Sequence, residues 1–151
     1  MRQGAGVMAV ITGGLAVAAT AATQSLAQPA GATASGRITL RSSETLKEPH
    51  VTNGGVAGRG RFTISGAIAD KGTLIDYRTQ EGHIAHVRRV AIGTKGTITF
   101  AITINLASGA EPWTVASGTR RYKGLHGRGT VTVDAWYTSP ATFVMKGIVS
   151  Q

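Results

Sequence analysis

The chain has 151 residues, 42% of them hydrophobic and only 15% charged, with a formal net charge of +9, 21 glycines and no cysteine. That is the length of one domain, which speaks against a multidomain enzyme, and a chain of this size buries enough surface to fold without metal or disulfide staples. The missing cysteines exclude thiol catalysis, Fe–S clusters and cysteine-ligated zinc, and the low charge density is wrong for a disordered chain.

The first 27 residues read as an export signal. Arg2 supplies a short positive start, 7–22 (VMAVITGGLAVAATAA) is apolar, and Ser25-Leu26-Ala27 predicts cleavage after Ala27. Thr12, Gly13, Gly14 and Thr20 dilute the apolar run below what a permanent span needs. A mature protein without a transmembrane span is therefore expected, secreted or periplasmic. Residues 28–36 (QPAGATASG) read as a flexible leader, and the folded domain is expected over 37–151.

From there, short runs of alternating apolar residues recur between glycine-containing breaks, the pattern of an antiparallel all-β domain. Strands are predicted at 37–41, 61–69, 73–78, 83–92, 97–106, 113–116, 130–137 and 142–149. The run 97–106 is the clearest, with Ile98, Phe100, Ile102, Ile104 and Leu106 on one face and Thr97, Thr99, Ala101, Thr103 and Asn105 on the other. Residues 42–60, with Glu44, Lys47, Glu48, Pro49 and His50 leading into a glycine-rich tract, read as a long loop placed as a flap over one barrel mouth. Eight antiparallel strands of these lengths can close into a single barrel whose interior packs side chains or holds one small ligand. Phe62, Phe100, Phe143 and Met145 are expected inside, which predicts a narrow lumen.

The segment 113–129 (WTVASGTRRYKGLHGRG), followed by 142–150 (TFVMKGIVS), resembles the closing half of the allene oxide cyclase and dirigent-like β-barrels. The run 61–72 (RFTISGAIADKG) and the Lys95-Gly96-Thr97-Ile98 turn resemble small secreted bacterial proteins of that barrel type. The likeness spans about 60–149. It implies a hydrophobic small-molecule pocket, used in plants to cyclise a fatty-acid epoxide or to steer phenolic radical coupling. The plant cyclases' opening-strand glutamate has no counterpart in 37–41, and their cavity cysteine is absent, so cyclase activity is without matching catalytic residues here.

Candidate catalytic residues, which would orient or protonate a substrate, are polar positions within otherwise apolar strands: Asp76, His86, Arg88 and Asp134. On the fourth strand, either Ile84, His86, Arg88, Val90 and Ile92 face inward, or Ala85, Val87, Arg89 and Ala91 do; alternation leaves both open. Asp134 shares a face with Thr130, Thr132 and Trp136 that reads as outward. Tyr77, Trp113 and Trp136 are candidate ligand-binding aromatics. Asp70, before Lys71-Gly72, reads as a turn residue bonding nearby backbone amides.

Arg120, Arg121, Lys123 and Arg128 form the most basic stretch, and with Arg88, Arg89 and an interleaved Tyr122 they suggest a positive patch. An anionic envelope polymer is its candidate partner; nucleic acid is disfavoured for an exported protein. The histidines His50, His83, His86 and His126 lack zinc-site spacing, so no metal is expected, and no cofactor motif occurs. Two functions remain: a barrel binding an apolar small molecule, or a non-enzymatic envelope module acting through its basic surface or through homo-oligomer contacts.

Overall fold

The computed structural model describes residues 34–47, 53–135 and 140–151. Eight antiparallel strands close on themselves in sequence order: β1 Gly36–Leu46, β2 Asn53–Gly66, β3 Asp70–Glu81, β4 Ile84–Gly93, β5 Thr97–Asn105, β6 Pro112–Gly118, β7 His126–Ala135 and β8 Ala141–Ser150. Closure is made by β1 pairing with β8, from Gly36 opposite Val149 to Glu44 opposite Ala141. The expected antiparallel eight-stranded barrel is therefore the architecture observed. The predicted signal segment and the Glu48, Pro49 and His50 part of the expected flap lie outside the described residues.

Alternation dictates the two faces. On β5, Ile98, Phe100 and Ile102 are buried, as are Phe62 and Ile64 on β2 and Phe143 and Met145 on β8. Burying each such side chain contributes roughly 2 kcal/mol, so the interior fills with large residues. Trp113 packs edge-on against Phe100, with ring centroids 5.4 Å apart, and its indole N–H donates to the Thr130 carbonyl at 3.2 Å. Its ring lies over Gly129 and Gly147, where a Cβ would come within 2.6 and 2.4 Å of Trp113 Cζ2.

Two features differ from the sequence reading. The stretch 42–60 is mostly strand: β1 runs on to Leu46, β2 starts at Asn53, and Lys47 N–H donates to the Ala57 carbonyl beside the hairpin. The glycines that suggested a loop serve the pairing instead. Gly60 lies opposite Glu44, where a Cβ would stand 2.1 Å from the Ser43 carbonyl. The reversal between β2 and β3 falls at Ala67–Ala69, so Asp70 opens β3 instead of sitting mid-turn.

The end of the barrel near the β2–β3 reversal is closed. Arg120–Tyr122 forms one 3-10 turn, Arg120 has a positive φ of 53°, and Tyr122, Leu125 and Ile68 are buried there. Gln151 Nε2 donates to the carbonyls of Arg121 and Lys123, both at 2.9 Å, pinning that turn from the last residue. The opposite end carries the candidate site.

Candidate functional site at the barrel mouth

The core of the site is a buried cation between two carboxyls. Asp76 on β3 lies directly opposite Arg89 on β4, because the hairpin turns at Gly82-His83, and both point inward. Arg89 grips Asp76 with two nitrogens, Nε to Oδ1 at 3.0 Å and Nη2 to Oδ2 at 2.7 Å. Glu44 reaches the same guanidinium from β1, accepting from Nη2 at 2.6 Å, while Ser42 Oγ donates to the same Glu44 oxygen at 2.5 Å. Arg89 is completed by Met145 Sδ at 3.4 Å and by the Phe143 ring, whose centroid lies 5.2 Å from Cζ. These contacts offset the desolvation of the buried guanidinium.

The reach of Glu44 depends on β2. The inward positions beside it are Gly58, opposite both Leu46 and Asp76, and Gly60, opposite both Glu44 and Leu74. With no side chains there, the Glu44 carboxyl crosses the β2 strand to Arg89.

The electrostatics follow from counting charges: one guanidinium faces two carboxyls. Burial pushes the Glu44 carboxyl up, Arg89 pulls it down and the Asp76 charge pushes it up again, leaving it at about 7. Glu44 therefore keeps its proton to a higher pH than an ordinary carboxyl, and protonated it leaves the guanidinium facing a single charge. Its Oε2 has no hydrogen-bond partner and is buried. The same contacts, above all those with Asp76 and Glu44, outweigh desolvation and hold Arg89 firmly protonated.

Above this cluster opens a cavity of about 50 Å³. Asp76 and Arg89 form its floor, with Val87, Ile102, Ile104, Val131, Phe143, Leu46 and Ala57 as apolar walls. Its polar walls are Arg78, Glu111 and Lys47. Arg78 is buried to within 9% of its surface; Nη2 donates to Gln80 Oε1 at 2.7 Å, whereas Nε has no partner. Burial raises the Glu111 carboxyl, opposed by the charges of Arg89 and Arg78. The space holds a few water-sized groups and is far below the roughly 300 Å³ of a pocket that engulfs a drug-sized molecule. The narrow lumen expected from the large inward residues is thus present.

Of the residues singled out from sequence, Asp76 is in the site. His86 and Arg88 are not: both are exposed on the outer face, His86 Nδ1 3.5 Å from Thr103 Oγ1 and Arg88 stacked 4.2 Å from the Tyr77 ring centroid. β4 takes the register with Ala85, Val87, Arg89 and Ala91 inward, since Arg89 then meets Asp76, while the other face offers His86 and Arg88 no acid across the strand. Tyr77 and Trp113 line no part of the cavity; Trp113 is core and Tyr77 faces outward. Trp136 and the Asp134 side chain lie outside the described residues. Of the residues suggested for a positive patch, Arg89 and Tyr122 are buried and so cannot belong to a surface, while Arg88, Arg120, Arg121, Lys123 and Arg128 are exposed. Among the described residues, no group of three or more His, Asp or Glu side chains could hold a metal.

Sequence reasoning missed Glu44, Arg78 and Arg89. Ile38, Leu40, Ser42 and Glu44 continue one alternation, and a hairpin centred on Gly82-His83 places Asp76 opposite Arg89, so both signals were in the chain. An opening-strand glutamate is present after all, on the part of β1 that read as loop.

No helix among the described residues is long and apolar enough to cross a membrane. No family model matches the chain, and neither curated proteins nor solved structures provide a match. The eight-stranded barrel stands on the structure itself; the likeness to allene oxide cyclase and dirigent-like barrels gains no support from these comparisons.

Proposed function

We propose that this protein binds a small, largely apolar molecule at the barrel end that carries the cavity, through a hydrogen-bond acceptor on that molecule. The observation that carries the reading is the buried Arg78 Nε with no partner in the wall of an apolar cavity floored by Asp76 and Arg89. A buried donor left unmet destabilises by about 1–3 kcal/mol, and a ligand oxygen would satisfy it. The small volume admits one narrow end of such a molecule, with the remainder lying over Lys47 and Glu111 at the rim. The role proposed is binding and not turnover: Glu44, the group with a proton poised near neutrality, sits behind Asp76 and Arg89 and does not line the cavity.

Native mass spectrometry of the protein purified from its own host should show a bound small molecule. Val87→Phe, which fills the cavity from its wall, should remove it. An apo mass for the unmodified chain, together with no saturable shift on titration with short alkanoic acids, overturns the reading.

A further inference from the structure

We propose that the outer face of β8, β1 and β2 binds a linear anionic polysaccharide carrying sulfate or phosphate esters. The alternation that buries Leu40, Phe62, Ile64 and Met145 turns Arg37, Arg41, Arg59, Arg61 and Lys146 outward, all of them exposed. Every charged residue at an outward position of these three adjacent strands is a cation.

Their arrangement is ordered. Thr39 lies opposite Lys146, Arg41 opposite Thr63, and Ser43 opposite Arg61. Lys146, Arg41 and Arg61 therefore step diagonally, each one strand over and two residues along. Strand spacing and rise make each step about 8 Å. Arg128 on β7, opposite Ile148, extends the same diagonal by one further step, and Arg59 flanks it on β2. Lys146 and Arg61, each with a hydroxyl directly across the strand at Thr39 or Ser43 to donate to ester oxygens alongside it, together with the neighbouring Arg59 and Arg128, give a chain bearing repeated anions several cations to pair with.

The chemistry favours this partner over other polyanions. The outward positions of β8, β1 and β2 carry no aromatic residue, so the base-stacking platforms of single-stranded nucleic-acid binders are missing. The strands present no helix or ribbon to enter a duplex groove and read bases, and the curved wall meets a flat bilayer only along a line, whereas a flexible chain can follow the diagonal around the curve. This face is the outside of the barrel and owes nothing to the cavity at its mouth.

The test uses the full chain and heparin as a sulfated polysaccharide probe, with affinity measured by calorimetry near 150 mM salt. Replacing Arg59, Arg61 and Lys146 by serine should weaken binding at least roughly tenfold and flatten its salt dependence. The charge-matched variant with Arg120, Arg121 and Lys123 replaced by serine should lose less than about twofold, because those residues lie on the closed-end turn. The single variants Arg61→Ser and Lys146→Ser, with their melting temperatures, separate lost binding from lost folding. Equal losses in the two triple variants would show that net charge alone acts. That result overturns the proposal, as does an absence of heparin binding, or tighter binding of the unmodified chain to single-stranded DNA or anionic vesicles than to heparin.

Discussion

Glu44 and Asp70 are two carboxyls at opposite ends of one barrel, and the protein treats them in opposite ways. At the closed end, burial pushes the Asp70 carboxyl up, but bonds from Thr94, Lys95, Tyr122 and Lys71 overcome it and hold the group at about 2. Its oxygens accept from Thr94 Oγ1 at 2.6 Å, Tyr122 Oη at 2.8 Å and the backbone N–H groups of Lys71, Thr94 and Lys95 at 2.8, 3.0 and 3.1 Å. At the mouth, Glu44 shares one guanidinium with Asp76, leaves Oε2 unmet, and sits at about 7. The lesson is that depth of burial and the number of donors together decide which carboxyl stays ionised: Glu44 is deep with few donors, Asp70 shallower with many. Asp70 is locked as a structural staple, and the same bond pushes the Tyr122 hydroxyl well above the ordinary tyrosine range, burial being the first cause.

The largest effect should come from removing the cation. Arg89→Met leaves Asp76 and Glu44 facing each other in the interior and should cost about 3–5 kcal/mol in chemical denaturation near neutral pH, with part of the loss recovered at pH 5, where Glu44 is protonated. A loss below about 1 kcal/mol would mean that the charges are not confined as the geometry has them.

Next in size is a pH effect. Glu44 binds its proton more tightly when folded, at about 7 against 4.5 in the unfolded chain, so the native state holds more protons between those values. Its contribution to stability is therefore full below about pH 4.5 and is lost as pH rises through about 7, an effect on the order of 3 kcal/mol. Glu44→Gln keeps an acceptor for Arg89 and should flatten the stability profile between pH 5 and 8; an unchanged slope would break the contrast with Asp70.

Asp70 should show the mirror image, with a smaller amplitude because it is partly exposed. Its folded value of about 2 lies below the unfolded 3.8, so its contribution is present above about pH 4 and lost as pH falls toward 2. Asp70→Asn should cost about 1–2 kcal/mol at pH 7, measured by thermal melting, and remove that acid limb. If Tyr122→Phe alone reproduces the whole loss, the backbone donors matter less than the staple picture requires.

The strands themselves were legible because a half-buried strand advertises its period: Phe100, Ile102 and their alternating partners leave no helical reading. The site was only partly legible, for two physical reasons. Glycine is both a turn residue and the residue that makes room for a neighbour, so Gly58 and Gly60 read as loop when they clear the path of Glu44. And a strand with polar residues on both faces, His86 and Arg88 against Arg89, has its register fixed by a partner on another strand, here Asp76, which local alternation does not contain.

The pairing of β1 with β8 has a kinetic meaning. Arg37 lies opposite Ile148, so the seam that completes the barrel joins residues more than a hundred positions apart. Contacts so distant in sequence are slow to form, because the chain entropy of the enclosed segment is lost before they give anything in return. On the ribosome the seam must also wait for the last strand to be made. Glu44 rides on the first strand and Met145 on the last, and both meet Arg89 from the fourth. The complete cluster, with Glu44 and Met145 both on Arg89, thus belongs to the closed barrel. The Asp76–Arg89 pair belongs to the local β3–β4 hairpin, so it is the second carboxyl and the thioether that tie the buried cation to barrel closure.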